Sequence, residues 1–247
     1  IDEARQVEEL GFAALWRSGV LAMLEEAVRA TTRIPVATGI IPVATVPAAD
    51  VVATYRRLER DHPGRFVVGV GGARNAHPLR MLGSYLDELD AAGEPSGRRV
   101  LAALGPNMLA LARDRTSGAY PYLVTPDFVA DARRVLGADR VLAVLVMTIP
   151  APDRGTARGV AAGPLGFFTQ QGGYRNNLLR LGFSETDIDT VSDRLLDGIT
   201  AWGDDASIAA RIAEYRAAGA DQVVLRILGV DGDLYAARAR LAAALLA

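Results

Sequence analysis

The feature that most constrains the fold is a regular alternation of short apolar runs with amphipathic helical patterns along the 247 residues. Runs such as Phe66–Val70 and Val141–Ile149 are almost continuously aliphatic, which is typical of parallel strands covered on both faces. About seven such runs are each followed by a helical pattern, and the chain opens on a helix. A TIM (β/α)8 barrel has eight strands. We therefore predict an α/β fold, a TIM barrel whose first strand would precede Ile1.

Domain organisation follows from the same pattern. Barrels of this length commonly form one domain, so we expect a single domain over residues 1–247. The pattern breaks at about 150–205, where we predict an insertion between the seventh strand and its helix, with helices over Tyr174–Leu181 and Glu185–Trp202. In a barrel such a loop stands over the active site. A doubly wound sheet is the alternative, but no GxGxxG motif with a following acidic ribose ligand supports it.

Composition excludes several kinds of chemistry. There is no cysteine, which excludes disulfides, thiolate metal sites and a cysteine nucleophile. None of the 27 basic residues is a lysine, which excludes Schiff-base chemistry and a Walker-type phosphate loop. Two histidines, His62 and His77, are too few for a polyhistidine site. We therefore expect no bound metal.

The same data limit the partners. The net charge is -2 and acidic and basic residues interleave, which argues against nucleic acid as a partner. No apolar run approaches the ~20 residues that cross a bilayer, and no signal peptide is visible. We expect a cytoplasmic protein that acts on a small molecule, with no membrane partner.

The carboxyl ends of barrel strands face the substrate, so the candidate site residues lie there. The third strand ends in Thr38, Gly39 and Ile40. A glycine inside an apolar strand marks either a bulge or a close approach by a ligand, and a bulge that only shapes the barrel is the alternative here. The fourth strand runs into a glycine-rich turn, in which backbone N–H groups can point at an anion. The candidate residues of this turn are Gly71, Gly72, Ala73 and Asn75.

The next two strand ends add a phosphate site and an aromatic group. After the fifth strand, Leu104, Gly105, Pro106 and Asn107 begin a helix, and the free N–H groups of a helix N-terminus bind phosphate. A plain capping turn is the alternative. At the sixth strand end, Tyr122 could lie against a flat cofactor, or it could be exposed apolar packing.

Catalytic residues stay unassigned. His77 follows the fourth-strand turn, but a solvent-facing loop histidine is the simpler interpretation, and His62 is expected to be structural. Trp16 could be a pocket wall or core. No nucleophilic triad or paired carboxylate stands out. A glycine-lined mouth of this kind suits a redox cofactor that brings its own reactivity.

Several segments in order resemble the luciferase-like monooxygenase superfamily, and within it the coenzyme F420-dependent oxidoreductases. The resemblance covers nearly the whole chain. The segments that carry it are Glu9-Leu10-Gly11-Phe12 with Leu15-Trp16, Val36–Ile40, His62–Gly71, Ala103–Met108, Gly118–Pro126, Trp202-Gly203-Asp204 and Glu214–Leu225.

This resemblance implies a TIM barrel, a homodimer, and F420 or FMN bound at the carboxyl ends of the strands. It implies a non-proline cis peptide at Gly39-Ile40, with the bulge backing the deazaflavin ring. The turn Gly71–Asn75 and the turn at Leu104-Gly105 would contact the cofactor and its phosphate. The implied reaction is hydride transfer between C5 of F420 and an organic substrate.

Two positions depart from the family pattern. Gly72 stands where the sugar-phosphate dehydrogenase branch has an acid, and Arg17-Ser18-Gly19 follows Trp16 where many relatives have an Asp-His pair. These departures argue against glucose-6-phosphate dehydrogenase activity and leave no assigned proton donor. An FMN-dependent monooxygenase and a non-catalytic flavin- or F420-binding protein are the alternatives to an F420-dependent oxidoreductase.

Overall fold

The computed structural model describes residues 1–73, 77–230 and 232–246. It is an α/β structure in which parallel strands alternate with helices. The strands are β1 Leu15–Arg17, β2 Val36–Thr38, β3 Ile41–Pro42, β4 Phe66–Gly71, β5 Arg99–Leu101, β6 Gly118–Ala119, β7 Val141–Pro150, β8 Thr200–Gly203 and β9 Gln222–Ile227. The helices are α1 Asp2–Glu9, α2 Leu21–Ala30, α3 Ala48–Asp61, α4 Pro78–Ala91, α5 Pro106–Arg115, α6 Pro126–Leu136, α7 Arg154–Thr169, α8 Gly172–Arg180, α9 Glu185–Thr190, α10 Asp193–Ile199, α11 Asp205–Ala217 and α12 Leu234–Leu246.

The chain forms two compact units. The first comprises Ile1–Tyr120 with Asp139–Val141 and Leu246. The second comprises Pro121–Ala138 and Leu142–Leu245. Our expectation of one domain, with a strand before Ile1, stays a prediction.

The first unit contains a parallel sheet in the order β1-β2-β4-β5-β6, and β3 also pairs with β4. β2 and β3 follow each other along β4, because Ala37 pairs with Val67 and Ile41 with Val70. Between these two pairs, the chain of β2 and β3 advances by four residues, from Ala37 to Ile41, while β4 advances by three, from Val67 to Val70. The β2–β3 side therefore contains one extra residue. This is a β-bulge, and its Gly39-Ile40 peptide is cis. Both features match the expectations from the sequence.

The second unit is built around β7. β9 pairs with it from Ala143 to Thr148, and β8 pairs with it from Met147 to Pro150. Because Met147 pairs with both neighbours, β8 and β9 lie on opposite edges of β7. Helices α7 to α10 contribute buried side chains to an apolar core that also includes residues of β7.

Most helices begin and end close to the predicted residues, and the caps explain why. Thr125 accepts a hydrogen bond from the Phe128 N–H and Pro126 opens α6, as an N-cap followed by proline predicts. Ser184 and Asp187 form a reciprocal capping box at the start of α9. These local signals need no tertiary context.

Several predicted strands and helices were wrong in extent. From its apolar residues, Pro35–Pro42 is predicted to be one strand, but it forms two strands, because the bulge interrupts it. The apolar runs Arg99–Leu104 and Ala119–Val124 likewise predict strands, but these strands are shorter and end at Leu101 and Ala119. The helix predicted over Glu185–Trp202 is α9, α10 and β8, because Val191 takes a left-handed conformation with φ 49 and ends α9.

The segment at about 150–205, which we predict to be an insertion, also holds a helix that the sequence pattern obscured. Pro164 lies inside α7, where it reads as a helix breaker. Ala157, Ala161 and Leu165 are nevertheless spaced four residues apart and all fully buried. Burial of this stripe maintains the helix across the proline. In the described ranges, none of the helices is both long enough and apolar enough to cross a bilayer.

A buried carboxylate joins α1 to the turn before β2. Oε1 of Glu8 accepts hydrogen bonds from the backbone N–H groups of Arg33 at 2.6 Å and Ile34 at 3.0 Å. The N–H of Thr32 lies 3.0 Å from each carboxylate oxygen. Burial raises the pKa of Glu8, but these donors outweigh burial and set the pKa at about 2, below the ordinary 4.5. The ionised carboxylate therefore stabilises the folded chain.

We expect Glu8→Gln to lower the free energy of unfolding by about 2 kcal/mol at pH 7, because an amide cannot satisfy all of these donors. Urea denaturation measures the change, and the exposed neighbour variant Glu9→Gln is the matched control. Since the folded-state pKa is lowered, the contribution of Glu8 is complete above 4.5 and is lost as the pH falls towards 2. Equal stability of the two variants at pH 7 would contradict this account.

Candidate functional site

The bulge, the end of β4 and the end of β5 lie side by side in the first unit. The Val43 N–H donates to the Gly71 carbonyl at 2.9 Å, and the Ala102 N–H donates to the Val70 carbonyl at 2.9 Å. A Cβ placed on Gly71 would lie 2.7 Å from Cβ of Ala102 and 2.9 Å from Cδ1 of Ile40. The structure thus brings together two predicted site positions, Ile40 and Gly71, and adds Ala102. We call Gly39, Ile40, Gly71, Gly72 and Ala102 the rim.

Below the rim, Thr38 and Gly69 fix β2 against β4. The buried Thr38 hydroxyl donates to the Gly69 carbonyl and accepts from the Gly69 N–H, both at 2.6 Å. A Cβ on Gly69 would lie 2.1 Å from the Thr38 carbonyl oxygen, which is backbone and cannot move aside alone. The predicted site residue Thr38 therefore has its hydroxyl engaged inside the sheet, where it sets the position of the bulge.

An aromatic pair connects the two ends of the first unit's sheet. Trp16 lies in β1 and Tyr120 directly follows β6, yet their rings stack with centroids 4.3 Å apart and planes 8° from parallel. A Cβ on Gly39 would lie 3.0 Å from the Tyr120 hydroxyl oxygen. Since β2, β4 and β5 lie between β1 and β6 in the strand order, the stack shows that this part of the sheet curves and that the carboxyl ends of β1 and β6 converge. From the sequence, Trp16 was expected to be a pocket wall or a core residue, but its stacking partner Tyr120 was not predicted.

The segment that departs from the family pattern packs on the bulge. A Cβ on Gly19 would lie 2.3 Å from the Ile40 carbonyl oxygen. Arg17 forms an ion pair with Glu3 at 3.4 Å, and its carbonyl accepts from the Gly39 N–H at 2.5 Å. The link Arg17–Gly19 therefore supports the rim by close backbone packing.

The turn after β5 presents main-chain donors. Gly105 is the N-cap of α5 without a side-chain cap, and Pro106 is the first helical residue. Within the described residues, no group accepts from the N–H of Asn107 or Met108 outside the helix ladder. Asn107 is exposed. These donors, with the positive end of the helix dipole, suit an anionic oxygen.

The turn after β4 is described only in part. Gly72 has φ +69 and its Cβ would lie 3.2 Å from Cα of Pro42, so a side chain there is disfavoured. Ala73 is half-buried. The predicted residue Asn75 lies outside the described residues, while Leu104 is half-buried beside the helix start.

Tyr122 belongs to the second unit, whereas the other described candidate residues belong to the first. The exposed packing considered for it is wrong, because only 5% of Tyr122 is exposed. Its ring meets Phe168 edge to face at 5.2 Å and Tyr174 at 6.2 Å. Burial raises the pKa of Tyr122, and the nearby Arg226 works against that rise. Arg226, Phe168 and Tyr174 were not foreseen, although a charge inside the apolar run of β9 was a visible signal.

The two histidines lie at helix ends. His77 is the exposed N-cap of α4, and His62 is the C-cap of α3. Over the described ranges, no group of three or more histidine or acidic side chains is placed to hold a metal ion.

Comparisons with known proteins identify the fold. No protein-family model and no curated protein matches the sequence. An F420-dependent secondary alcohol dehydrogenase in complex with an F420-acetone adduct is similar in structure, with a TM-score of 0.74 and 15% identity over 99% of this chain and 93% of that one. The coenzyme F420-dependent tetrahydromethanopterin reductase from Methanopyrus kandleri has a TM-score of 0.71 and 15% identity over 98% and 92%.

A flavin enzyme is similar as well. The oxygenating constituent of 3,6-diketocamphane monooxygenase from the CAM plasmid of Pseudomonas putida, in complex with FMN, has a TM-score of 0.65 and 14% identity over 99% of this chain and 89% of that one. The chain therefore has the α/β fold, with parallel strands and helices, that these proteins share, which confirms the fold class predicted from the sequence.

We expect Gly69→Ala to lower the free energy of unfolding by about 2 kcal/mol, because the added methyl group overpacks backbone. Gly83→Ala is the matched control, since its Cβ would meet nothing within 4 Å inside α4. In a helix interior this change is expected to raise stability by about 0.5–1 kcal/mol. Chemical denaturation of both variants measures the contrast. If Gly69→Ala were as stable as the parent protein, close packing of β2 on β4 would not set the bulge.

Proposed function

We propose that this chain is an oxidoreductase that binds coenzyme F420 at the rim and transfers a hydride between the deazaflavin and a small organic substrate. The observation that carries the proposal is the combination, in one unit, of the short side chains of Gly71, Gly72 and Ala102 at two strand ends with the open N-terminus of α5. The two F420-dependent proteins of similar fold support it.

The rim residues fit a flat cofactor. At the ends of β4 and β5, Gly71, Gly72 and Ala102 carry no side chain longer than a methyl group, and the side chain of Ile40 packs against both glycines. We propose that a planar ring lies along this edge, where the side chains are short. The bulge at Gly39-Ile40 is fixed from behind by Tyr120 and Gly19. A closely packed bulge beside small residues at the ends of β4 and β5 is suited to orienting a ring.

The phosphate of the cofactor fits the start of α5. The N–H groups of Asn107 and Met108 and the helix dipole supply the donors. Ala102 and Gly105 are three residues apart in sequence, so the donors follow directly on the rim. We propose Leu104, Gly105, Pro106 and Asn107 as phosphate contacts, and Gly71, Gly72, Ala73 and Asn75 as contacts of the turn after β4.

When bound, F420 would supply hydride chemistry at C5. The chain's part is to bind and orient the ring and to exclude water from its reacting face. We assign no proton donor, because Gly72 and Arg17-Ser18-Gly19 occupy positions where relatives carry an acid or an Asp-His pair.

FMN-dependent monooxygenation is the second candidate. It is supported by the FMN complex of similar fold, and a flavin phosphate would suit the same helix start. We place F420 first because the ordered segments of the sequence resemble those of the F420-dependent oxidoreductases. A homodimer, a cytoplasmic location and a Tyr122 contact with the cofactor stay predictions.

The test is a binding measurement with purified protein and each cofactor in turn. We expect F420 to show a fluorescence change on titration and to co-elute with the protein on gel filtration, and FMN to bind more weakly. Gly39→Val should abolish F420 binding, since its side chain displaces Tyr120 from beneath the bulge. Gly83→Ala should bind as the parent protein does.

Circular dichroism of both variants separates loss of the site from loss of the fold. Tight retention of FMN without any response to F420 would reject the first candidate and favour the second. Unchanged F420 affinity in a folded Gly39→Val protein would remove the bulge from the site.

A further inference from the structure

Arg226 is a charged residue in the middle of an apolar strand of the second unit. It belongs to β9, where it pairs with Met147 of β7. Its neighbours Leu225 and Ile227 are aliphatic. A guanidinium stays ionised at any physiological pH, so the strand carries a permanent positive charge.

The guanidinium lies against aromatic rings. Its Cζ atom is 5.6 Å from the centroid of the Tyr122 ring and 5.4 Å from that of Phe168. Nη1 donates to the Tyr122 hydroxyl at 3.2 Å. These contacts orient the guanidinium, and the hydrogen bond uses one of its five N–H donors.

A counter-ion is missing from this arrangement. In the part of the chain that the structure describes, no carboxylate forms an ion pair with Arg226. Other arginines of the same unit are paired, such as Arg133 with Asp221 and Arg211 with Glu214. A half-buried charge held by a neutral hydroxyl and ring faces is costly to desolvate, and an anion at its remaining donors would offset that cost.

The rings beside Arg226 form an apolar wall. Phe168 of α7 and Tyr174 of α8 meet edge to face with centroids 5.2 Å apart, and both also meet Tyr122. Phe168 and Tyr174 are half-buried, so part of each residue is open to solvent. Such a wall accepts the flat or apolar body of a small molecule.

We propose that Arg226, Tyr122, Phe168 and Tyr174 form a binding site for a small organic acid. The guanidinium fork would hold the carboxylate and the rings would hold its body. The single cation matches a monoanion, and its planar donors match carboxylate oxygens in a bidentate pair. The site goes beyond the proposed redox function, and its test requires no cofactor.

The experiment is isothermal titration calorimetry of the whole protein with benzoate, with its neutral analogue benzamide, and with inorganic phosphate. We expect benzoate to bind, and benzamide to bind at least about tenfold more weakly because it has no charge to pair with the guanidinium. Phosphate is also expected to bind at least about tenfold more weakly than benzoate, because it has no apolar body to lie against the rings. Arg226→Gln should weaken the binding of benzoate by a similar factor. Arg216→Gln, at an exposed position of α11, is the matched control and should leave binding unchanged.

The comparison of benzoate with benzamide uses the unaltered protein, so it decides the matter even if Arg226→Gln fails to fold. Absence of benzoate binding, equal binding of benzamide or phosphate, or equal affinity in folded Arg226→Gln and Arg216→Gln would each overturn the proposal. Because none of these measurements involves F420 or FMN, failure here is distinct from failure of the proposed redox function.

Discussion

The register of β2 and β3 along β4 is the constraint on which the rest of the first unit depends. One extra residue between Ala37 and Ile41 displaces the chain at Gly39-Ile40. The displaced backbone fits only because Gly19, Gly69 and Gly71 leave room for it. The same packing brings Ile40, Gly71 and Ala102 together, so the rim follows from where the glycines stand.

Glycines at these strand ends are thus needed for packing within the protein, whether or not a ligand binds there. A glycine at a strand end can permit a cofactor to approach or can permit one strand to approach another. At Gly39 the nearest atoms to an added Cβ belong to Tyr120, and at Gly71 they belong to Ala102 and Ile40. Packing is therefore a sufficient reason for both, and the case for a cofactor rests on the small side chains at the edge and the free donors of α5.

Local signals were enough to predict much of the fold. Capping residues and apolar periodicity located helices such as α2 and α6, because these depend on neighbours in sequence. Tertiary context was needed elsewhere. The Trp16–Tyr120 stack joins residues from opposite ends of a sheet, and α7 continues through Pro164 because its buried stripe outweighs the local breaker. The bulge was predicted from the glycine at position 39. The register of β2 and β3 along β4 could not be predicted in this way, because it depends on the pairing with β4.

The candidate site residues likewise divide into those that could be predicted from the sequence and those that needed tertiary context. Gly39, Ile40 and Gly71 were predicted from glycine placement and family resemblance, and the structure places them side by side. Arg226 was missed because one charge in an apolar strand is ambiguous without knowing which rings surround it. Two charges illustrate the difference. The buried Glu8 is satisfied by backbone donors, whereas the half-buried Arg226 meets a hydroxyl and ring faces but no carboxylate among the described residues.

A crystal structure of the protein soaked with F420 tests the central claim most directly. The account predicts the deazaflavin ring against the Gly39-Ile40 bulge and the Gly71-Gly72 turn, with the phosphate at the N–H groups of Asn107 and Met108. A ring bound away from the strand ends of the first unit, or a phosphate that makes no contact with the start of α5, would contradict it.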